Sequence, residues 1–505
     1  MTSDMETALR RAEASVDRLL AGRDDRWYPA AHIAARAGWI NDPNGLCFVD
    51  GRYQVYFQHH PGSADWGPMH WGHVSSADMV TWRREPIALA PSVEEDRDGV
   101  FSGSAIIRDD GALAVFYTGH RWRNGTDERQ GNLQVQCLAL SADGGRTFEK
   151  RGTVVDCPEG FRHFRDPKVW KQDGRWYMVV GASTVERRGQ VRMYTCDDPA
   201  LEQWSFDSVL YEDPDERVFM LECPDFFPLG DKWVLTFGPM GARPRGYSER
   251  NGNNAVYVVG EWAPGRPFAN VTGHRPGDAG ANYYAPQSFL TPDGRRVQYG
   301  WMGAFTSSEP TCAADHWCGQ LTVPRELALA PGGNAVLMAP VGEIEALRAD
   351  TRDFGAFELG ADQDAGLADD VSGAAEVEVE LDLARTTAER VDLVVHRTPD
   401  GHQTVVSWDD QSGRVWLDRR LSGRGGRGYR SVPVPAEASG LLRLRVIIDR
   451  SSVEVVVGRG EAMMSSLVFP PEGPRALVLS AESGAAMVAS LRVHRLRSIW
   501  ESPDR

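Results

Sequence analysis

Three acidic residues stand in proline-stiffened contexts: Asp42 in Asn41-Asp42-Pro43-Asn44-Gly45, Asp166 in Arg165-Asp166-Pro167, and Glu222 in Glu222-Cys223-Pro224-Asp225. Proline fixes its own φ and pushes the residue before it toward an extended conformation. Asn44-Gly45 adds a tight turn. Singly, each of these is an ordinary turn carboxylate. Jointly they are hard to explain by packing, because several carboxylates around one point destabilise a fold unless they are used. The chemistry that needs such a set is glycoside hydrolysis. One carboxylate attacks the anomeric carbon, a second group protonates the leaving oxygen, and a third steadies the sugar.

The elements that must bring these residues together are written in an internal repeat. Five aromatic-rich segments begin at Gly51, Gly111, Gly174, Asp231 and Gly294, each following Gly or Asp. Each lies some ten residues after a short polar-apolar segment: 41–43, 101–104, 165–167, 222–225 and 284–287. A turn with an aromatic plug recurs late in three units, ending at Trp82, Phe148 and Trp204. A unit repeated five times at a period near 60 residues predicts radial repetition. The expected fold class is therefore all-β: a five-bladed β-propeller over 27–345, with the first strand of each blade lining the central channel. That geometry would carry Asp42, Asp166 and Glu222 to one axial pocket.

Residues 1–26 read as an N-terminal helical extension, with an amphipathic helix over 3–21. Residues 346–373, rich in Ala, Gly and Asp, read as a linker. Alternation returns at Ala374, and short strands at regular spacing over 374–505 predict an antiparallel β-sandwich. It has no comparable carboxylate cluster and reads as a structural or homo-oligomerisation module.

Composition narrows the partners. A net charge of −16 argues against nucleic acid and anionic membranes. No apolar run is long enough for a membrane span. The seven cysteines are odd in number and scattered, with no zinc-type spacing; all read as reduced thiols, Cys312 and Cys318 included, in a cytoplasmic protein. His59 and His60 adjoin on a predicted strand and point to opposite faces, so they read as wall residues. No metal or cofactor is expected. Arg243, Arg245 and Arg250 read as a solvated cationic loop, with substrate phosphate as the weaker alternative.

The same residues resemble glycoside hydrolase family 32, the invertase, inulinase and sucrose-6-phosphate hydrolase group. The matching stretches are 39–45, 53–58, 66–75, 101–105, 164–169, 222–225, 284–289 and 317–327, with 446–457 and 463–470 in the second domain. Within the family, 70–76 and 220–228 are most similar to the intracellular actinobacterial β-fructofuranosidases. The resemblance implies Asp42 as nucleophile, Glu222 as general acid/base and Asp166 as transition-state stabiliser with Arg165 beside it. It implies that Asn41, Gln58, Trp66, Phe101 and Ser102 hold the fructose ring and that Trp301 is a wall aromatic. Cys223 reads as structural. The chain departs from the family at Asn282, where many members carry Asp; the position is expected near the leaving group. The implied activity is retaining exo-β-fructosidase action on sucrose and short fructo-oligosaccharides. Sucrose-6-phosphate hydrolase stands as the near alternative and a non-catalytic fructan-binding propeller as the distant one.

Overall fold

The computed structural model describes residues 3–305, 309–435 and 439–501. Five sheets follow one another in chain order, each built on a four-stranded antiparallel meander; in the fifth the meander is interrupted by Trp317–Cys318, which pairs in parallel with the first strand of blade one, and by Gln320–Leu321. Their first strands are Gly38–Val49, Gly99–Ile107, Phe161–Gln172, Met220–Leu229 and Tyr284–Leu290. Each first strand contacts those of the blades before and after it, and the fifth meets the first, so the ring closes. The aromatic-rich segments become the second strands: Arg52–His60, Leu113–Trp122, Arg175–Thr184, Lys232–Met240 and Arg296–Met302. Their large side chains fill the wedges between blades, as where Tyr56 of blade one, with Trp71 of the next strand, packs with Val115 and Tyr117 of blade two.

The recurring late element is a local hydrogen-bond device. Asp78, Asp143 and Asp198 each accept backbone N–H groups from the turn that follows, such as Thr81, Thr147 and Ala200. The aromatic after each turn then plugs the blade; Trp82 and Phe148 are buried. The N-terminal helix, Ser3–Leu20, lies on the outer strand of blade one with Met5, Ala12 and Val16 buried. Its Glu13 carboxylate accepts the Ile87 N–H at 2.7 Å, satisfying a donor on an exposed sheet edge.

Two sheets of seven and six strands form the sandwich around an aliphatic core that includes Val377, Val379, Val446, Val455 and Leu479. The segment read as a linker belongs to it. Arg348–Asp353 and Phe357–Leu359 pair with Ala486–Leu496, and Asp364–Ala368 pairs with Ala476–Glu482. These strands are short and mostly exposed, so they lack the alternation by which the others were legible.

The two domains are joined by a buried polar network. His32 lies between Asp449 at 2.8 Å and Glu454 at 3.0 Å. Arg325 lies between Glu454 at 2.6 Å and Asp278 at 3.0 Å. The chain end returns to blade one, where Glu501 N–H donates to the Trp82 carbonyl at 3.0 Å. Cys312 and Cys318 are joined by a disulfide, against the reading of seven free thiols. A one-turn helix, Pro310–Ala314, folds the chain back before Trp317–Cys318, and the two Cα atoms come within 4.9 Å. No helix among the described residues is long and apolar enough to cross a membrane.

Candidate active site

All five first strands break register at the same place. Three residues of the first strand advance against two of the second at 40–43, 100–103, 165–168, 222–225 and 284–287. The extra residue is a β-bulge, which bends the strand and re-aims side chains. In blades three, four and five the bulge begins with a residue at positive φ, namely Asp166 (69°), Cys223 (49°) and Ala285 (48°). Proline follows each; a bulge tolerates its missing N–H. The five bulges lie at the same place in each first strand, and the residues expected to do chemistry sit on or beside them.

Two layers of side chains result. The residues just before the bulge in blades three, four and five are Arg165, Glu222 and Tyr284, and they converge. Glu222 accepts hydrogen bonds from the Arg165 guanidinium on one oxygen and from the Tyr284 hydroxyl on the other. The bulge residues themselves bring Asp42, Ser102, Asp166 and Cys223 together. Ser102 Oγ donates to Asp42 Oδ2 at 2.6 Å, and Asn41 Nδ2 donates to Asp42 Oδ1 at 3.0 Å. Trp39 Nε1 donates to Asn41 Oδ1 at 2.7 Å, which fixes the way that amide points. Asp166 Oδ2 accepts the Cys223 N–H at 2.8 Å, and the Cys223 thiol touches Asp42 at 3.3 Å and Asp166 at 3.5 Å.

Burial sets the electrostatics. Desolvation pushes the Asp42 carboxyl up, while Ser102 and Asn41 pull it back by bonding the ionised form. Desolvation also raises Asp166, to about 7, against the Arg165 charge and with the Glu222 and Asp42 charges. The Cys223 thiol is held well above its usual range by desolvation and by the aspartates it touches, so it stays protonated. The result is a buried, hydrogen-bonded pair of aspartates facing a glutamate that an arginine and a phenol grip.

These groups floor a cavity of about 700 Å³. Gln58, Trp66 and Phe101 line its wall, with Trp66 at the mouth and 41% exposed. Gln58 Nε2 donates to the Val100 carbonyl at 3.1 Å. Of the residues expected here, Asn41, Asp42, Gln58, Trp66, Phe101, Ser102, Arg165, Asp166 and Glu222 all reach the cavity. Two do not. Trp301 is fully buried behind Trp39, ring centroids 5.6 Å apart. Asn282 faces the sandwich, its Oδ1 accepting from Leu467 N at 3.0 Å and Arg419 Nη1 at 3.1 Å. The bend carrying Asn282, just before the first strand of blade five, meets the sandwich strand at Ser465 and Leu467, so the side chain is spent on the domain interface.

The N-terminal model of glycosyl hydrolases family 32 matches residues 32–340, and the family's C-terminal model matches 343–495. The chain belongs to glycosyl hydrolase family 32. It is 41% identical over 483 residues to an Escherichia coli sucrose-6-phosphate hydrolase, covering 96% of this chain and 98% of that protein. An E. coli raffinose invertase is 42% identical over 484 residues, with the same coverage. A mutant of the Bombyx mori GH32 beta-fructofuranosidase in complex with sucrose is 31% identical, with a TM-score of 0.85 over 98% of this chain and 100% of that one. In this family 32 site, sequence reading missed the grip of Arg165 and Tyr284 on Glu222 and the thiol of Cys223 between the aspartates. Their positions in the repeat were visible; the bulges that turn them inward were not.

Proposed function

We propose that this chain is a retaining β-fructofuranosidase that releases fructose from sucrose and short fructo-oligosaccharides. The observation that carries the reading is that Asp42 and Glu222, from blades one and four, open onto one cavity with separate sets of hydrogen-bond donors. Asp42 receives only donors aimed at its ionised form, which suits a nucleophile. Glu222, fixed in direction on both oxygens by Arg165 and Tyr284, takes the acid/base role that the family resemblance gives it. Asp42 attacks the anomeric carbon of the fructosyl unit as Glu222 protonates the leaving oxygen. Glu222 then takes a proton from water, which attacks the fructosyl-enzyme ester. Asp166, beside Arg165, grips sugar hydroxyls as charge develops on the ring.

Sucrose is favoured over its 6-phosphate by the charge of the cavity. Six carboxylates line it, with two guanidinium groups, Arg97 and Arg165. Arg165 is bound to Glu222. Arg97, at the rim, spends its donors on Glu94 at 2.8 Å, Trp122 O at 3.2 Å and Asp98 at 3.4 Å. A phosphate dianion would meet a net negative surface. The cationic loop at Arg243, Arg245 and Arg250 is not among the lining residues, and Arg245 pairs with Asp215. The name of the raffinose invertase relative and the sucrose-bound Bombyx structure support the same choice.

The five unpaired cysteines support a cytoplasmic location, while the Cys312–Cys318 disulfide argues the other way. The deciding experiment follows fructose release from sucrose and sucrose 6-phosphate side by side, with NMR of the first-formed anomer. Retention and a kcat/KM at least about tenfold higher on sucrose are expected. Inversion would remove the nucleophilic role of Asp42, and sugar binding without any fructose release would leave a non-catalytic binding propeller.

A further inference from the structure

His120 lies on the second strand of blade two and lines the cavity, yet it belongs to none of the groups assigned above. Its hydrogen bonding fixes its tautomer. Gln134 Oε1 accepts the Phe164 N–H at 3.0 Å and Arg165 Nη1 at 3.4 Å, so that atom is the oxygen. Gln134 Nε2 is therefore the donor in its 3.3 Å contact with His120 Nδ1. A nitrogen that accepts carries no proton in a neutral imidazole, so the proton sits on Nε2. Nε2 has no partner, although His120 is only 1% exposed. A buried donor without an acceptor costs free energy and calls for an explanation. The ring is also held rigidly. It stacks on Phe101 with centroids 4.0 Å apart and planes 7° off parallel, and Trp122 meets it edge-on at 4.3 Å.

We infer that His120 is a substrate-binding residue, a neutral imidazole whose Nε2–H donates to an oxygen of the bound sugar. The inference rests on reading the cavity as a sugar site. Desolvation, with the Arg165 charge, lowers the ring's titration to about 3, so the donor keeps its form across the working range. The chain Arg165, Gln134, His120 also links the grip on Glu222 to the wall that contacts sugar. Binding the sugar satisfies the open donor, so the cost of leaving it open in the free enzyme favours the complex.

The test begins with wild-type fructose release from sucrose; its absence would sink the proposed function, not this inference alone. His120→Phe keeps the stack on Phe101 and removes the donor. Its kcat/KM on sucrose should fall on the order of tenfold while Tm changes little, since the unmet Nε2–H that is removed offsets the acceptor that Gln134 Nε2 loses. His120→Gln, whose amide reaches the Nε2 position, should recover most of the loss. Should His120→Phe fail to fold, His120→Asn, which reaches only the Nδ1 position, takes its place. Wild-type kinetics in the donor-less variant would overturn the inference. Equal impairment of the donor-less and Gln variants would overturn it as well, because the ring would then be serving the fold.

Discussion

Asp166→Asn should abolish activity and stabilise the protein, and the gain should depend on pH. An aspartate ordinarily titrates near 3.8, and Asp166 is raised to about 7 by desolvation and by the Glu222 and Asp42 charges, against Arg165. At about 1.4 kcal/mol per pH unit, holding it ionised in the folded state costs on the order of 4 kcal/mol. The folded value lies above the unfolded one, so the stability associated with this group is complete below about pH 4. It is lost as pH rises through the window up to about 7. Asparagine is a suitable probe. It tolerates the positive φ of 69° at this position, and its Oδ1 can still accept the Cys223 N–H. The variant should gain about 4 kcal/mol at pH 8 and about 1.5 kcal/mol at pH 5 by the same linkage. Thermal unfolding at the two pH values reads this as a Tm rise of several degrees that shrinks in acid. An equal gain at both, or none at pH 8, would refute the claim that Asp166 is a strained charge kept for function.

Glu222→Ala should lose about 10²–10⁴ in rate on sucrose, the usual worth of a general acid, and far less in fructosylation by β-fructosyl fluoride, with azide restoring turnover. Asp42→Ala should be inactive on both, and a Glu222 variant equally impaired on both without rescue would move the acid role elsewhere. Asn282→Asp should leave the pH–rate profile on sucrose in place, because Oδ1 points at Leu467 and Arg419 in the sandwich; a displaced alkaline limb would put the side chain back near the leaving group. His32, raised to about 9 by Asp449 and Glu454 in spite of desolvation, contributes stability that is complete below pH 6.5 and lost as pH rises through 9. His32→Phe should therefore cost about 3–5 kcal/mol at pH 7 and less at pH 10, read as Tm at each.

The architecture was legible because its signals are short-range. Turn residues, strand alternation and the aromatic-rich second strands all lie within one repeat, so five blades and the placing of Asp42, Asp166 and Glu222 on first strands could be read directly. The family resemblance likewise pointed to Asn41, Gln58, Trp66, Phe101 and Ser102 as residues for the ring, and all five line the cavity. What the sequence left open was which neighbour each of these residues meets. Arg165 adjoins Asp166 in the chain and keeps its Nε 3.9 Å from that carboxylate, yet its guanidinium hydrogen-bonds to Glu222, because the bulge puts the two side chains in different layers. Asn282 and Trp301 lie close to blade five's site strands, but one turns to the sandwich and the other packs behind Trp39. The three strands within 348–368 find partners only at 476–496, and the Cys312–Cys318 bond needs the fold-back of a one-turn helix. Local pattern sets which face of an element a residue occupies. The partner across the channel or the domain interface is set by closing the ring and docking the sandwich, and no window of the sequence contains both sides of those contacts.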